Sequence, residues 1–387
     1  MDILLQNCTV MPVDAPVLDS GVVLMRGGKI AFVGERLDAP EGAQVIDCKG
    51  GFVTPGLIDA HTHIGSCPEG MHYSMTDENE MTDPVTSGVR ILESVYPFDD
   101  AFRQSRAQGV TTAQTLPGSG NIIGGTGCVL KTYGTIVDEM AIVADSCMKG
   151  ALGENPVSVY KDRHTTPSTR MGNAYVMRKA LQEAKNYLAS KNHASGKEDP
   201  FEVNVAKEAL IPVLQRRMRF SVHAHRADDI ATAVRIAKEF DLKLTIEHCT
   251  EGHLIADWLA KQKIKAATGP SMCTATKPEL ANQSWRNMAE LERAGVHYCL
   301  ITDHPVLPLY SLILNASYAS HEGLTDAQAL RAVTLSAAEH LDLEGRIGSL
   351  TVGKDADVVV WTGHPLDSRS QAAFTFIDGV CRHQLDA

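Results

Sequence analysis

An acid and two histidines close an apolar run in "GGFVTPGLIDAHTHIG", residues Gly50 to Gly65. In a strand, residues two apart face the same side, so Asp59, His61 and His63 share one face. Two adjacent imidazoles on a rigid element make half of a metal site, but an isolated His-x-His is as readily a hydrogen-bonded pair at a strand end. The remaining ligands must come from elsewhere in the chain. His223 in "SVHAH", His248 in "TIEHC" and Asp303 in "LITDHP" each close another apolar run. Neutral imidazoles with one carboxylate suit Zn²⁺ or another divalent transition ion, with a position left open for water. Water held there loses a proton near neutral pH and becomes a nucleophile, while the ion polarises a carbonyl. Asp303 would serve as ligand and as base, moving the proton to a leaving nitrogen.

The elements that must position these residues alternate strand and helix. Strands are expected at 57 to 64, 110 to 116, 128 to 134, 145 to 152, 219 to 225, 243 to 249, 264 to 269 and 297 to 303. Helical runs such as "PFDDAFRQSRAQG", "RADDIATAVRIAKEF" and "GHLIADWLAKQ" lie between them. Eight such units make a (β/α)8 barrel, and the candidate ligands then fall at the carboxyl ends of strands one, five, six and eight, where barrel sites are built. Both chain ends are β-rich, with a hairpin signal at Gly27-Gly28. Neither end has strands enough to stand alone, so residues 1–55 and 345–387 are expected to form one composite β-sandwich domain beside a barrel of residues 56–344. Long insertions at 65 to 96 and 153 to 200 follow strands one and four and would shape the pocket.

The chain has 387 residues and a formal charge of -11, which disfavours nucleic acid and anionic membrane as partners. Without a signal segment or a run of about 20 apolar residues, a cytoplasmic protein acting on a small molecule is expected. The nine cysteines are odd in number and lack a C-x-x-C pair, so neither a disulfide framework nor a zinc ribbon is indicated. Arg163, His164 and Arg170 follow the fourth strand and Arg226 the fifth; arginine forks there would grip a substrate carboxylate. The "GSGNIIGGTG" run lacks the Lys-Ser/Thr of a phosphate loop and reads as a tight loop, with Asn121 facing the site.

The motif "TPGLIDAHTH", then His223, His248, Asp303 and "GSLTVGKDADVVV", resembles the metal-dependent amidohydrolase superfamily over essentially the whole chain. "PGSGNIIGGTG", "GENP", "TPSTRMG", "HAHRADDI" and "IEHCTEGH" resemble its imidazolonepropionase-related and prolidase-like members. The resemblance implies one or two divalent ions, zinc first, and hydrolysis of a linear or cyclic amide, with Asp303 and His248 in the catalytic group. It also implies a homo-oligomer. Binuclear members carry a bridging carboxylated lysine on the fourth strand; Lys149 is placed for it, with Glu154 the alternative oxygen donor. In the family pattern the first histidine of strand five ligates, which favours His223 and leaves His225 to orient substrate. His72, His164 and His304 lie in loops at the same mouth, His304 beside Asp303. A deaminase of this superfamily would carry glutamate where Arg226 stands, although Asp228 is near; a noncatalytic scaffold would be expected to have lost some of these ligands.

Overall fold

The structure is a computed structural model that describes residues 2–70, 76–196 and 200–386. Four strands come from the amino-terminal end: β1 (Ile3–Val10), β2 (Leu18–Arg26), β3 (Lys29–Gly34) and β4 (Gln44–Pro55). Eight follow in the middle: β5 (Leu57–Thr62), β6 (Val110–Thr115), β7 (Ile123–Lys131), β8 (Ala141–Ala151), β9 (Arg219–Ala224), β10 (Leu244–His248), β11 (Lys265–Thr268) and β12 (His297–Leu300). The last three are β13 (Val358–Trp361), β14 (Ala372–Ile377) and β15 (Val380–Gln384).

The two chain ends meet in one seven-stranded sheet of order β15-β14-β13-β4-β1-β2-β3. Period-two patterning explains it. Leu5, Val23 and Met25 pack on one face with Val53, Val358 and Phe376, while the intervening Leu4, Val22 and Leu24 pack on the other. Gly27 and Gly28 take positive φ of 57° and 76°, which lets β2 turn tightly into β3. From β4 the chain passes through Gly56 into β5; a Cβ there would lie 2.1 Å from Thr111 Oγ1, so only glycine permits the approach.

The middle strands form an eight-stranded sheet in the order β5 to β12, rolled until its two edges meet. At the seam Asp303 N donates to His61 O (3.2 Å) and His63 N to His304 O (2.8 Å). Asp59, the acid that opened the sequence question, is fully buried at this seam. Its carboxylate accepts from His61 N and from both the amide and the hydroxyl of Thr302, so it ties the first strand to the chain after the last.

One sequence expectation needs correction. The third strand runs over 123–131 instead of 128 to 134, and it is antiparallel to both β6 and β8. No helix of the usual crossover length separates these three strands, because antiparallel neighbours need only short connections. The "GGTG" part of the glycine run is therefore strand, and the run reaches the barrel mouth only through Gly118 and Ser119. Asn121 is a buried bracket: its amide donates to Glu80 O and Thr86 Oγ1, and its oxygen accepts from the Tyr160 hydroxyl. All nine cysteines are free thiols and seven are buried. No helix among the described residues is long and apolar enough to cross a membrane.

Candidate functional site

The carboxyl ends of β5, β9 and β10, with the chain just beyond β12, bring the sequence candidates together in two groups. His61, His63 and Asp303 form one, and His223, His225 and His248 the other; within each, the potential ligand atoms lie within 4.8 Å of one another. Asp303 Oδ1 is 3.3 Å from His63 Nε2 and 3.5 Å from His61 Nε2. The His248 ring lies between the groups, its centroid 4.7 Å from that of His61 and 4.4 Å from that of His223. His248 and Asp303 both hold positive φ, 72° and 53°. For residues other than glycine such strain, of order 1–3 kcal/mol, persists where surroundings over-determine it and function uses it.

The far side of each ring explains its orientation. His61 Nδ1 pairs with Glu247 Oε2 (2.9 Å), His63 Nδ1 with Leu116 O (2.8 Å), His225 Nδ1 with Thr250 Oγ1 (2.7 Å) and His248 Nδ1 with Gly269 O (3.0 Å). Each pairing fixes the ring and leaves Nε2 for another partner, as in a metal-binding histidine. His223 differs: its Nδ1 is buried and finds no hydrogen-bond partner among the described residues. A buried imidazole nitrogen without a partner, among rings already oriented, fits a cation. Burial lowers the pKa of His61 to about 3, helped by the Lys149 charge, and lowers those of His223, His225 and His248 as well. The rings are thus neutral at physiological pH, the form that ligates. Burial alone would raise the Asp303 carboxyl, but the neighbouring histidines outweigh it and hold it well below the usual carboxylate range.

Lys149 is also here. Its Nζ, fully buried, lies 3.5 Å from His61 Nε2 and donates to Pro117 O (3.0 Å). Burial depresses its pKa, the condition under which a lysine amine becomes reactive. Glu154 belongs to neither group of potential ligands among the described residues; its backbone amide donates to Glu279.

Most of the expected substrate cations stand elsewhere. Arg226 is paired with Asp228 through two bonds of 3.0 and 2.9 Å. Arg170 is bound to Asp229 (2.9 Å) behind the cleft, Arg163 reaches Met81 O across the surface, and His164 is exposed. None of these four lines the cleft of about 470 Å³ over the histidines. Each arginine found a closer oxygen than the substrate space offers, which spacing along the chain does not reveal. His304 Nδ1 accepts from Leu309 N, and burial lowers its pKa to about 4. His72 lies outside the described residues.

Lys277 is the one cation of lysine or arginine type among the described residues that line this cleft. Its Nζ is 2.8 Å from Glu279 Oε1 and donates to Asn155 Oδ1 (2.9 Å). Glu279 is almost fully buried, with Oε1 at 3.7 Å from His225 Nε2 and 3.9 Å from His223 Nε2. Sequence reasoning passed over "TKPEL", although a polar loop directly after a barrel strand is where site residues gather. It also passed over Glu247, which binds His61 and His340 together (2.9 and 3.2 Å); its signal was an acid inside the apolar strand "LTIEH".

Comparison with known proteins gives consistent matches. Residues 52–381 match the amidohydrolase family. The chain is 28% identical over 391 residues to amidohydrolase tasK of Hapsidospora irregularis, covering 94% of this chain but only 40% of that relative. It is 26% identical over 382 residues to an imidazolonepropionase of Sphingopyxis alaskensis, covering 92% of this chain and 89% of the relative. The crystal structure of an amidohydrolase from Thermotoga maritima superposes with a TM-score of 0.97 at 42% identity, over 99% of this chain and all of that one.

Proposed function

The chain belongs to the amidohydrolase family and is a hydrolase acting on C–N bonds, and from that premise we propose that it cleaves a linear or cyclic amide in a small, carboxylate-bearing substrate. The observation that carries this reading is the convergence of five imidazoles and Asp303, with the buried Nδ1 of His223 unpartnered among the described residues. His61, His63 and Asp303, with His223 and His248, would hold a divalent transition ion, zinc first; Lys149, if carboxylated, would add the oxygen donor for a second. A divalent ion in such a site polarises the scissile carbonyl and acidifies water.

The protein's own groups supply the rest. Asp303, ionised and 3.3 Å from His63 Nε2, is placed to take a proton from water and deliver it to the leaving nitrogen. Glu247 and the carbonyls of Leu116 and Gly269 hold the rings in position. Lys277, with Asn155 beside it, offers a cation to the substrate carboxylate at the cleft wall. His225 borders the same space and orients substrate.

A second reading, release of ammonia from a ring, is favoured by one observation: the buried Glu279 carboxylate stands close to His223 and His225. In such a reaction that carboxylate would carry a proton to the ring. The domain division also stands as a proposal, with 1–55 and 345–387 as one folding unit and 56–344 as the other. The deciding experiment loads the protein with zinc and screens N-acyl amino acids, dipeptides and cyclic amides, following acid, amine and ammonia. Turnover of amides without ammonia supports the first reading, ammonia release supports the second, and turnover unchanged after His61→Ala/His63→Ala defeats both.

A further inference from the structure

At the opposite end of the barrel from the histidines, the segments that lead into β9, β10 and β11 surround a hollow of about 390 Å³. Six cations line it: Arg216, Arg219, Lys238, Lys243, Lys263 and Lys265. Asp241 is the one acid among the described lining residues, and Asp342 adjoins through its ion pairs. Four positive charges are left unbalanced in a chain whose net charge is -11. We propose that this basal hollow binds a small anion carrying two or more phosphoryl groups, at a site separate from the hydrolytic centre.

Arg219 carries the argument. It is 2% exposed, at the first position of β9; its Nη2 donates to Ser146 O (3.5 Å), and its buried Nη1 has no hydrogen-bond partner among the described residues. Its Nε lies 3.2 Å from Asp342 Oδ2. That single carboxylate is shared with Lys243 at 2.7 Å and Lys265 at 3.6 Å, so one negative charge faces three positive ones. Arg216 is matched by Asp241 (2.6 Å). A buried guanidinium N–H left unpaired is costly, and the half-exposed ammonium groups around it add like charge that no carboxylate lining the hollow offsets in full.

Helix dipoles account for part of the pattern only. The helices Ala227–Phe240 and Ala256–Gln262 end at the hollow, so Lys238 and Lys263 sit where cations favour a helix terminus. Arg219, Lys243 and Lys265 stand on or just before strands, where no such dipole calls for them. A phosphoryl group offers several acceptor oxygens and near-double charge, which matches a guanidinium fork among ammonium groups better than a single carboxylate does. The volume falls within the range of ordinary ligand sites.

The test is calorimetric titration of the zinc-loaded protein with inorganic pyrophosphate, and in parallel with inorganic phosphate, at low ionic strength. The proposal expects one pyrophosphate per chain, binding that weakens with added salt, and a Kd raised at least about tenfold in Lys243→Gln/Lys263→Gln with metal content unchanged. Arg219→Gln should abolish binding. Should either variant fail to fold, Lys263→Gln alone, at an exposed position, still has to weaken it. Equal affinity in wild type and the Lys263 variants would mean that pyrophosphate sits on the catalytic ion or elsewhere, and would overturn the site. So would the absence of binding to the wild type, or a preference for phosphate over pyrophosphate.

Discussion

The barrel mouth and the seam between barrel and end sheet both bury ionisable side chains, and they treat charge in opposite ways. At the mouth, five imidazoles converge, four of them oriented from behind through Nδ1, and burial lowers the pKa values of His61, His223, His225 and His248. At the seam, Lys131 is enclosed by Asp357 (2.5 Å), Asp355 (3.1 Å) and Asp378 (3.2 Å), while Lys29 and Arg346 also reach Asp355. The first arrangement leaves its partner atoms open, and the second satisfies them within the chain. Buried charge that is fully paired serves architecture; buried donors left facing one point await a ligand. The antiparallel course of β7 is what separates the two lysines: it carries Lys131 away to the seam, whereas the neighbouring β8 ends with Lys149 at the mouth.

Four measurements would break or sharpen this contrast. The largest expected effect is at the mouth: Asp303→Asn retains shape and one oxygen but cannot take a proton, so kcat should fall by roughly 10² to 10⁴ while some metal is kept. Near wild-type kcat would remove Asp303 as the base. At the seam, Lys131→Met should cost about 3–5 kcal/mol in denaturant unfolding, since it leaves the buried Asp357 carboxylate without its counter-charge. Metal content should be unaffected; loss of metal would mean that seam and mouth are not independent.

The third is acid stability. Burial tends to raise the Asp355 carboxyl, but Lys29, Lys131 and Arg346 outweigh it and hold its pKa at about 2. A carboxyl depressed in the folded state stabilises above its unfolded value near 4. That contribution, about 2 kcal/mol, is lost as pH falls from there through the folded value. Unfolding curves should therefore show wild type losing stability between about pH 4 and 2 more steeply than Asp355→Asn; parallel slopes would refute the pairing. The smallest effect concerns substrate: Lys277→Met should raise KM for carboxylate substrates about tenfold, as expected for one charge-assisted hydrogen bond. Arg226→Met, whose guanidinium does not line the cleft, should leave KM unchanged. The reverse result would restore the arginine that sequence spacing favoured.

Chain order alone determined the strands and helices outside β6 to β8, the β-rich character of both ends and the histidines at strand ends. These follow from local periodicity, which is written residue by residue. His61, His63, His223, His248 and Asp303 were legible because each ends an apolar run, a position that barrel geometry turns toward one mouth. Tertiary structure decided what periodicity does not encode. It reversed β7, placed Asp59 where the last barrel strand closes on the first, and paired Arg226 and Arg170 with nearby acids. It also brought Lys277 and Glu279 from a loop to the cleft and gathered the six basal cations. The physical reason is common to all of these. A strand's facing is fixed by its own backbone, whereas the partner of a charged side chain is whichever opposite charge lies within a few ångströms after folding, at any distance along the chain.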